Sequence, residues 1–236
     1  MELIGDLHIH SIVSDGSLHP SEVVKISRNR SISIISITDH NTFLGSMIAS
    51  RYVDRRYQLL IYGAEVRTYL GDVLVLCPQP IAITSNLSEI VDLCNDNNCL
   101  LIPAHPYDVL RLGIRGNIST DLWDAIEVFN SSSDLISNLI TYILTRNTDI
   151  PLLSNSDAHV GELIGSSYNI ISIDHYSVDD VLESIRKGRV VPIMKYSLRG
   201  SISRVSWGLK RYLNGYKFID IKHLNEEFRA SMSYQS

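Results

Sequence analysis

Cysteine is scarce in this 236-residue chain: Cys77, Cys94 and Cys99 form no even framework and no Cys-x-x-Cys pair. That suits a reducing cytoplasm, with all three as buried thiols rather than ligands. No stretch approaches the ~20 apolar residues that cross a bilayer, so no membrane association is expected. The N-terminus, Met1-Glu2-Leu3-Ile4-Gly5-Asp6, has no basic region and carries acids at once, which argues against a secretory signal. Lysine is missing between Lys25 and Lys187, and acidic residues are missing from Arg186 to Lys217. Nothing reads as a linker, a low-complexity segment or a sequence-level repeat.

What is present describes a soluble chain with a sizeable core, 44% hydrophobic and 20% charged. The net charge of −5 is uneven. Nine Lys or Arg lie in the acid-free stretch, leaving 12 basic against 26 acidic residues elsewhere, a balance of −14. An acidic body suits cations, and a basic C-terminal stretch suits phosphate, although a solvated helix face is the plainer reading of the latter.

Six short apolar runs each stop at residues able to hold a metal ion. Leu3–Ile9 leads into His8 and His10, Ile32–Ile37 to His40, and Leu59–Ala64 to Glu65. Leu100–Ile102 leads to His105, Ala125–Phe129 to Asn130, and Leu152–Leu153 to Asp157 and His159. Such runs, separated by helix-like stretches, read as buried parallel strands whose carboxyl ends gather on one face. About seven strand–helix units are expected, closing into one α/β barrel over residues 1–236 with a basic helical segment from about 186–236.

The helices expected are one opening at Pro20, then Thr42 to Arg55, Ser88–Asn97, Asp134–Arg146, Val178–Lys187 capped by Ser177 and ended by Gly188, and Ser197 to Asn214. The last carries Leu198, Ile202, Val205, Leu209 and Leu213 on one stripe, expected to face the core with Trp207 beside it. Gly63–Val66 and Asp72–Leu76 flank a turn and read as a hairpin.

Residues two apart on a strand share a face, so His8 and His10 point together while Leu7 and Ile9 pack outside. Asp157 and His159 repeat the arrangement. Asp15 sits in a Ser-Asp-Gly turn that could bring its carboxylate over the same mouth. Asp39, beside His40, could accept the other N–H of a ligand imidazole. His19, His175 and His223 lack this company and read as surface or capping residues. The tyrosines near Tyr212, Tyr216 and Tyr234 carry no motif.

Asp-Leu-His-x-His-Ser with Ser-Asp-Gly, Thr-Asp-His-Asn, Gly-x-Glu, Ala-His-Pro and Ser-Asp-Ala-His resemble, in this order, the motifs of the PHP (polymerase and histidinol phosphatase) superfamily. The match is dense from Met1 to His159 and looser beyond. It is most similar to the stand-alone metal-dependent phosphoesterases. The resemblance implies a distorted seven-stranded (β/α) barrel with two to three Mn, Fe or Zn ions. It implies that His8, His10, Glu65 and Asp157 hold one ion and Asp15, His40 and His159 a second. Glu65 would bridge to a third with His105 and Asn130. That third site is the weaker one, because Asn is a poor ligand and Asp72 stands where relatives often have His.

Two divalent ions ~4 Å apart can lower the pKa of a bridging water and clamp phosphoryl oxygens, so the expected chemistry is phosphoester hydrolysis of a small phosphorylated metabolite or nucleotide. Asp157, His159 and His40 are the candidate catalytic residues, the two histidines for protonating the leaving oxygen. Arg111, Arg115 and Arg67 are the candidate phosphate anchors, and Arg186, Lys187 and Arg189 are left without a role. Nucleic acid is a possible but less favoured partner, kept alive by the basic stretch. A C–N-cleaving amidohydrolase-like barrel also opens with His-x-His, but the missing mid-chain lysine counts against it.

Overall fold

The computed structural model describes residues 1–108, 111–119 and 121–213. Its strands are β1 (Glu2–Ile9), β2 (Ile34–Ile37), β3 (Leu59–Arg67), β4 (Asp72–Cys77), β5 (Leu100–Pro103), β6 (Ile126–Asn130), β7 (Leu152–Asn155), β8 (Tyr168–Ser172) and β9 (Val190–Ile193). Seven form one curled sheet in the order β5-β4-β3-β2-β1-β8-β9, and β6 pairs with β7. β1, β2 and β3 run parallel, as do β6 and β7, whereas β4 lies antiparallel between β3 and β5 in the expected hairpin. β8 and β9 are antiparallel additions at the edge of β1, not barrel staves in the parallel sense expected.

The curl closes through a few bonds instead of full ladders. Asp124, just ahead of β6, takes the Leu101 N–H on its carboxylate at 2.8 Å and gives its own N–H to the Leu101 carbonyl at 3.0 Å. On the other side, β1 divides its edge. Glu2–Gly5 pairs with β8, while the Leu7 N–H reaches Asn155 Oδ1 at 3.2 Å and the His10 N–H reaches the Ala158 carbonyl at 2.9 Å. The fully buried Asn169 fills the fork. Its Oδ1 accepts from Ser154 N, and its Nδ2 donates to Ser154 O and Asn155 Oδ1. The result is a distorted seven-stranded (β/α) barrel, β1 through β7.

Leu7, Ile61, Leu74, Ile102 and Leu153 fill the barrel, and Val181, Leu182 and Ile185 plug its floor. Leu7 therefore does not pack outside as strict alternation predicts. The β1–β2 register shifts between Asp6 and Ile9, and this bulge lets Leu7 and then His8 face the same interior while Ile9 joins Val23 and Val24 on the outer wall.

The helices are α1 (Pro20–Asn29), α2 (Leu44–Ala49), α3 (Leu87–Asp96), α4 (Leu135–Thr145), α5 (Val178–Arg186) and α6 (Leu198–Leu213). His19 caps α1 in a capping box with Glu22, and Ser177 caps α5, which ends at Gly188 with φ +70°. α2 is much shorter than Thr42 to Arg55. Ser50 bonds back to the Met47 carbonyl, and the Asp54 carbonyl then collects the Tyr57 and Gln58 N–H groups in a separate turn.

Two sequence expectations fail here. The α6 stripe faces outward, with Leu198, Ile202, Val205 and Leu213 each more than 70% exposed, although Trp207 does pack against the outer-wall cluster. The cysteines are not all thiols either. Cys77 and Cys99 stand one step beyond the Leu76–Leu100 pair of the β4–β5 ladder and form a disulfide, leaving Cys94 buried and free. The inference from unpaired thiols to a reducing compartment thus loses two of its three residues. No helix among the described residues is long and apolar enough to cross a membrane.

Candidate metal centre

The bulge at the end of β1 aims His8 and His10 at a common point, their Nε2 atoms 3.1 Å apart. Glu65, near the end of β3, reaches that point from the opposite wall. Its Oε2 lies 3.2 Å from His10 Nε2, 3.6 Å from His8 Nε2 and 3.0 Å from His40 Nδ1, and its Oε1 lies 2.9 Å from His105 Nε2. Asp157, just past β7, brings Oδ1 to 3.3 Å from His10 Nε2 and 3.6 Å from His8 Nε2. Asp15 makes the outer corner, at 3.1 Å from His159 Nε2, 3.5 Å from His10 Nδ1 and 3.6 Å from His40 Nε2. Residues as far apart as His10 and His159 thus offer ligand atoms within 4.8 Å of one another, in three overlapping groups among the described residues: His10, Asp15, His40 and His159; His8, His10 and Glu65; Glu65, Asp72 and His105.

The loops that hold these side chains are tightly specified. Asp39 does not orient a histidine; its carboxylate accepts from Ser11 N and Oγ and from Ser14 Oγ at 2.6–2.8 Å, fixing the turn that carries Asp15. Gly45 is required beside it, because a Cβ there would collide with Asp39. The Asp15 carbonyl is gripped from α6 by Trp207 Nε1 at 3.0 Å and by Arg211 Nη1 at 3.2 Å. His105 and Asp157 sit at φ +32° and +49°, a backbone region that costs non-glycine residues about 1–3 kcal/mol each. Such strain is retained where the surrounding structure over-determines a residue, as Ser132 does by bonding both the Ser156 and Asp157 carbonyls.

Comparison with known proteins bears on the fold. The family model described as PHP-associated matches residues 136–190. A 3′,5′-nucleoside bisphosphate phosphatase of Chromobacterium violaceum is 36% identical over 66 residues, 28% of this chain and 23% of its own length. Among solved structures, a two-domain protein of Bacteroides vulgatus containing a predicted PHP-like metal-dependent phosphoesterase superposes with a TM-score of 0.62 at 14% identity. That alignment covers 83% of this chain and 65% of the other. A lesion-specific endonuclease of Pyrococcus furiosus gives 0.61 at 17%, covering 87% of this chain and 66% of the other. The chain has the PHP fold and matches the PHP-associated family model over residues 136–190. This chain spans about two thirds of each of those two structures, and at these identities they speak for the PHP fold alone.

The cluster has an outer layer that the sequence motifs did not reveal. Glu127, fully buried on β6, accepts four hydrogen bonds: His8 Nδ1 at 2.9 Å, Asn155 Nδ2 at 3.0 Å, His105 N at 2.7 Å and Asn130 Nδ2 at 3.0 Å. The signal available was a lone carboxylate inside the apolar run Ala125–Phe129. The β6–β7 register shifts just after Glu127, so both strands of the His8–Glu127 pair are bulged where they meet. Asn130 is not placed as a ligand. Its Oδ1 accepts from Ser132 N and Ser133 N, and its Nδ2 donates to Glu127 and Asp157.

Whether these residues suit a cation is answered by their nitrogens. With Nδ1–H given to Glu127, His8 presents a lone pair at Nε2; His159 does the same through its Nδ1 contact with the Asp157 carbonyl at 3.0 Å. An imidazole whose far nitrogen is fixed this way is built for metal ligation, and mixed imidazole–carboxylate donors fit divalent Mn, Fe or Zn. Without a cation, protons must fill the role. Burial pushes His10 and His40 down, but Asp157 and Glu65 lift His10 to about 9, and Asp15 and Glu65 lift His40 to about 11. Burial likewise pushes Glu65 and Asp157 up, yet the surrounding imidazoles, and Arg111 beside Asp157, hold both well below the ordinary range.

Above the centre is a cleft of about 190 Å³ lined by Asp15, His40, His105, Asp157 and His159 together with Arg67, Arg111 and Arg204. Arg111 pairs with Asp157 and, at 3.8 Å, with Asp108. Arg67 makes a two-pronged contact with Asp72, both prongs at 3.0 Å. Arg115 is exposed and does not line the cleft; its own N–H turns back to the Pro106 carbonyl. Arg186 is also remote, bound to Asp124, Asn98 and the Cys99 carbonyl. The basic stretch contributes instead through Arg204 of α6, tethered to the Ser132 carbonyl at 2.8 Å.

Proposed function

We propose that this PHP protein is a metal-dependent phosphoesterase acting on a small phosphorylated metabolite or nucleotide. The observation that carries the reading is the convergence of His8, His10, Asp15, His40, Glu65, Asp157 and His159 beneath a cleft bearing three guanidinium groups. In this reading His8, His10, Glu65 and Asp157 hold one cation, and Asp15, His40 and His159 a second. A third beside Glu65 and His105 is less well provided, since the Asn130 oxygen is engaged and Arg67 already neutralises Asp72. Bound divalent cations supply Lewis acidity that brings a water's pKa toward neutrality and counters charge on phosphoryl oxygens.

The chain's own groups do the rest. Arg111 and Arg204 approach the cleft from the β5–β6 connection and from α6, so a phosphoryl group between them is oriented from two sides. Asp157 keeps the Arg111 guanidinium at the edge of the ligand cluster. His40, one third exposed, is the imidazole of this set that opens to the cleft.

The test is a panel of phosphometabolites and nucleotides with Mn²⁺-reconstituted protein, scored for released phosphate, with DNA and an amide panel run alongside. Phosphate release from small esters is the expected result. Cleavage confined to DNA with steep salt dependence would transfer the assignment to a nuclease, and amide cleavage alone would overturn it.

A further inference from the structure

α4 is amphipathic in the wrong direction. Its buried face is polar, formed by Ser137, Asn138, Thr141 and Thr145. The opposite face carries Leu135, Ile136, Leu139, Ile143 and Leu144, each more than half exposed. The inner polarity has a use: Asn138 bonds both the N–H and the carbonyl of Asn130 and the Tyr196 hydroxyl, anchoring the strand end beside the metal centre. The outer face has no such use within the described residues. A helix normally turns its apolar stripe to the core, and an apolar patch this concentrated on a surface marks a contact with something else.

We propose that this face pairs with the same face of a second copy, as an antiparallel helix pair about a twofold axis near Leu139 and Ile140. Charge argues for self-association. The eleven residues of α4 include no charged side chain, so two copies meet without repulsion. The exposed Asp134 caps the start and the exposed Arg146 stands at the end. A twofold axis at the helix midpoint sets each Asp134 beside the partner copy's Arg146, twice per interface, and an isologous contact requires such self-complementarity. Size agrees too. The stripe offers on the order of 500 Å² per copy, and twice that reaches the lower bound for a specific interface. A parallel arrangement would instead set Asp134 against Asp134 and Arg146 against Arg146.

The experiment is sedimentation velocity and light scattering on the full chain across 1–100 µM, with thermal unfolding as the folding control. The expected result is a dimer. Ile143→Glu, which places two carboxylates in the apolar contact, is expected to weaken it at least ~100-fold without lowering the unfolding midpoint of the monomer. Leu139→Cys is expected to cross-link between copies on oxidation, and Leu135→Cys is not. A wild-type monomer at 100 µM overturns the proposal. So does a dimer that survives Ile143→Glu, or cross-linking at position 135 in preference to 139. None of these readouts depends on catalysis, so the interface and the phosphoesterase reading stand or fall separately.

Discussion

Replacing Glu127 by Gln keeps the side chain's shape and removes only its charge and one acceptor. The carboxylate now takes His8 Nδ1 and Asn155 Nδ2 on Oε1, and His105 N and Asn130 Nδ2 on Oε2. A glutamine has one acceptor oxygen, so whichever way the amide turns, two buried donors face an NH₂ group. A buried donor left without an acceptor costs about 1–3 kcal/mol. After local adjustment a net loss of about 3 kcal/mol is expected, which for a chain of this size lowers Tm by roughly 6–12 °C. The same change frees His8 to rotate, and losing the partner that fixes a ligand imidazole weakens metal binding about 10–100-fold. Thermal unfolding of metal-loaded and metal-stripped protein, with a competitive Mn²⁺ or Zn²⁺ titration, reads both effects. A Glu127→Gln protein matching wild type in midpoint and in metal affinity would refute the role given to this carboxylate.

His10→Ala and Asp157→Asn are each expected to abolish phosphoester hydrolysis and lower bound metal while circular dichroism stays native; turnover in a verified metal-depleted variant would contradict the assignment. In metal-stripped protein, His10 is raised from 6.5 to about 9 by Asp157 and Glu65. The stabilisation from its charged form is therefore complete below pH 6.5 and lost as pH rises through about 9, so the midpoint of chelator-treated protein should fall across that window. Because cations displace these protons, binding should release protons and weaken as pH falls, which calorimetry in buffers of differing ionisation heat measures. Cys77→Ser opens a bridge between residues 22 apart, worth about 3 kcal/mol on the loop-closure account. An unchanged midpoint under oxidising conditions would mean that the two sulfurs are not joined in solution.

Most candidate ligand residues were legible because they stand at or just past the ends of apolar strands, His8 and His10 sharing a face by simple alternation; Asp15, in its Ser-Asp-Gly turn, and Asp157, at φ +49° beyond β7, are brought in by loop geometry. What alternation cannot supply is a change of phase. The bulge at Leu7 and His8 sends neighbouring residues to one side, and the shift after Glu127 does the same on β6. Asn130 has a ligand's position at a strand end, and only the two N–H groups of Ser132 and Ser133 reveal which way its amide turns. Helical spacing correctly grouped Leu198, Ile202, Val205, Leu209 and Leu213. It says which residues share a face, however, and not whether that face is covered. Arg204 lies inside the basic stretch, but a linear charge count does not identify which of its guanidinium groups lines the cleft.

The grip of Trp207 and Arg211 on the Asp15 carbonyl has a kinetic corollary. Residues 192 and 196 positions apart must meet before the Asp15 corner is held in place. During synthesis the strand bearing His8 and His10 emerges early and Asp39 braces its turn soon after, yet the Asp15 carbonyl gains its own hold only once α6 has left the ribosome. Metal capture should accordingly be a late event, and a truncated chain ending at β9 should load its outer cation poorly even where the sheet has already formed.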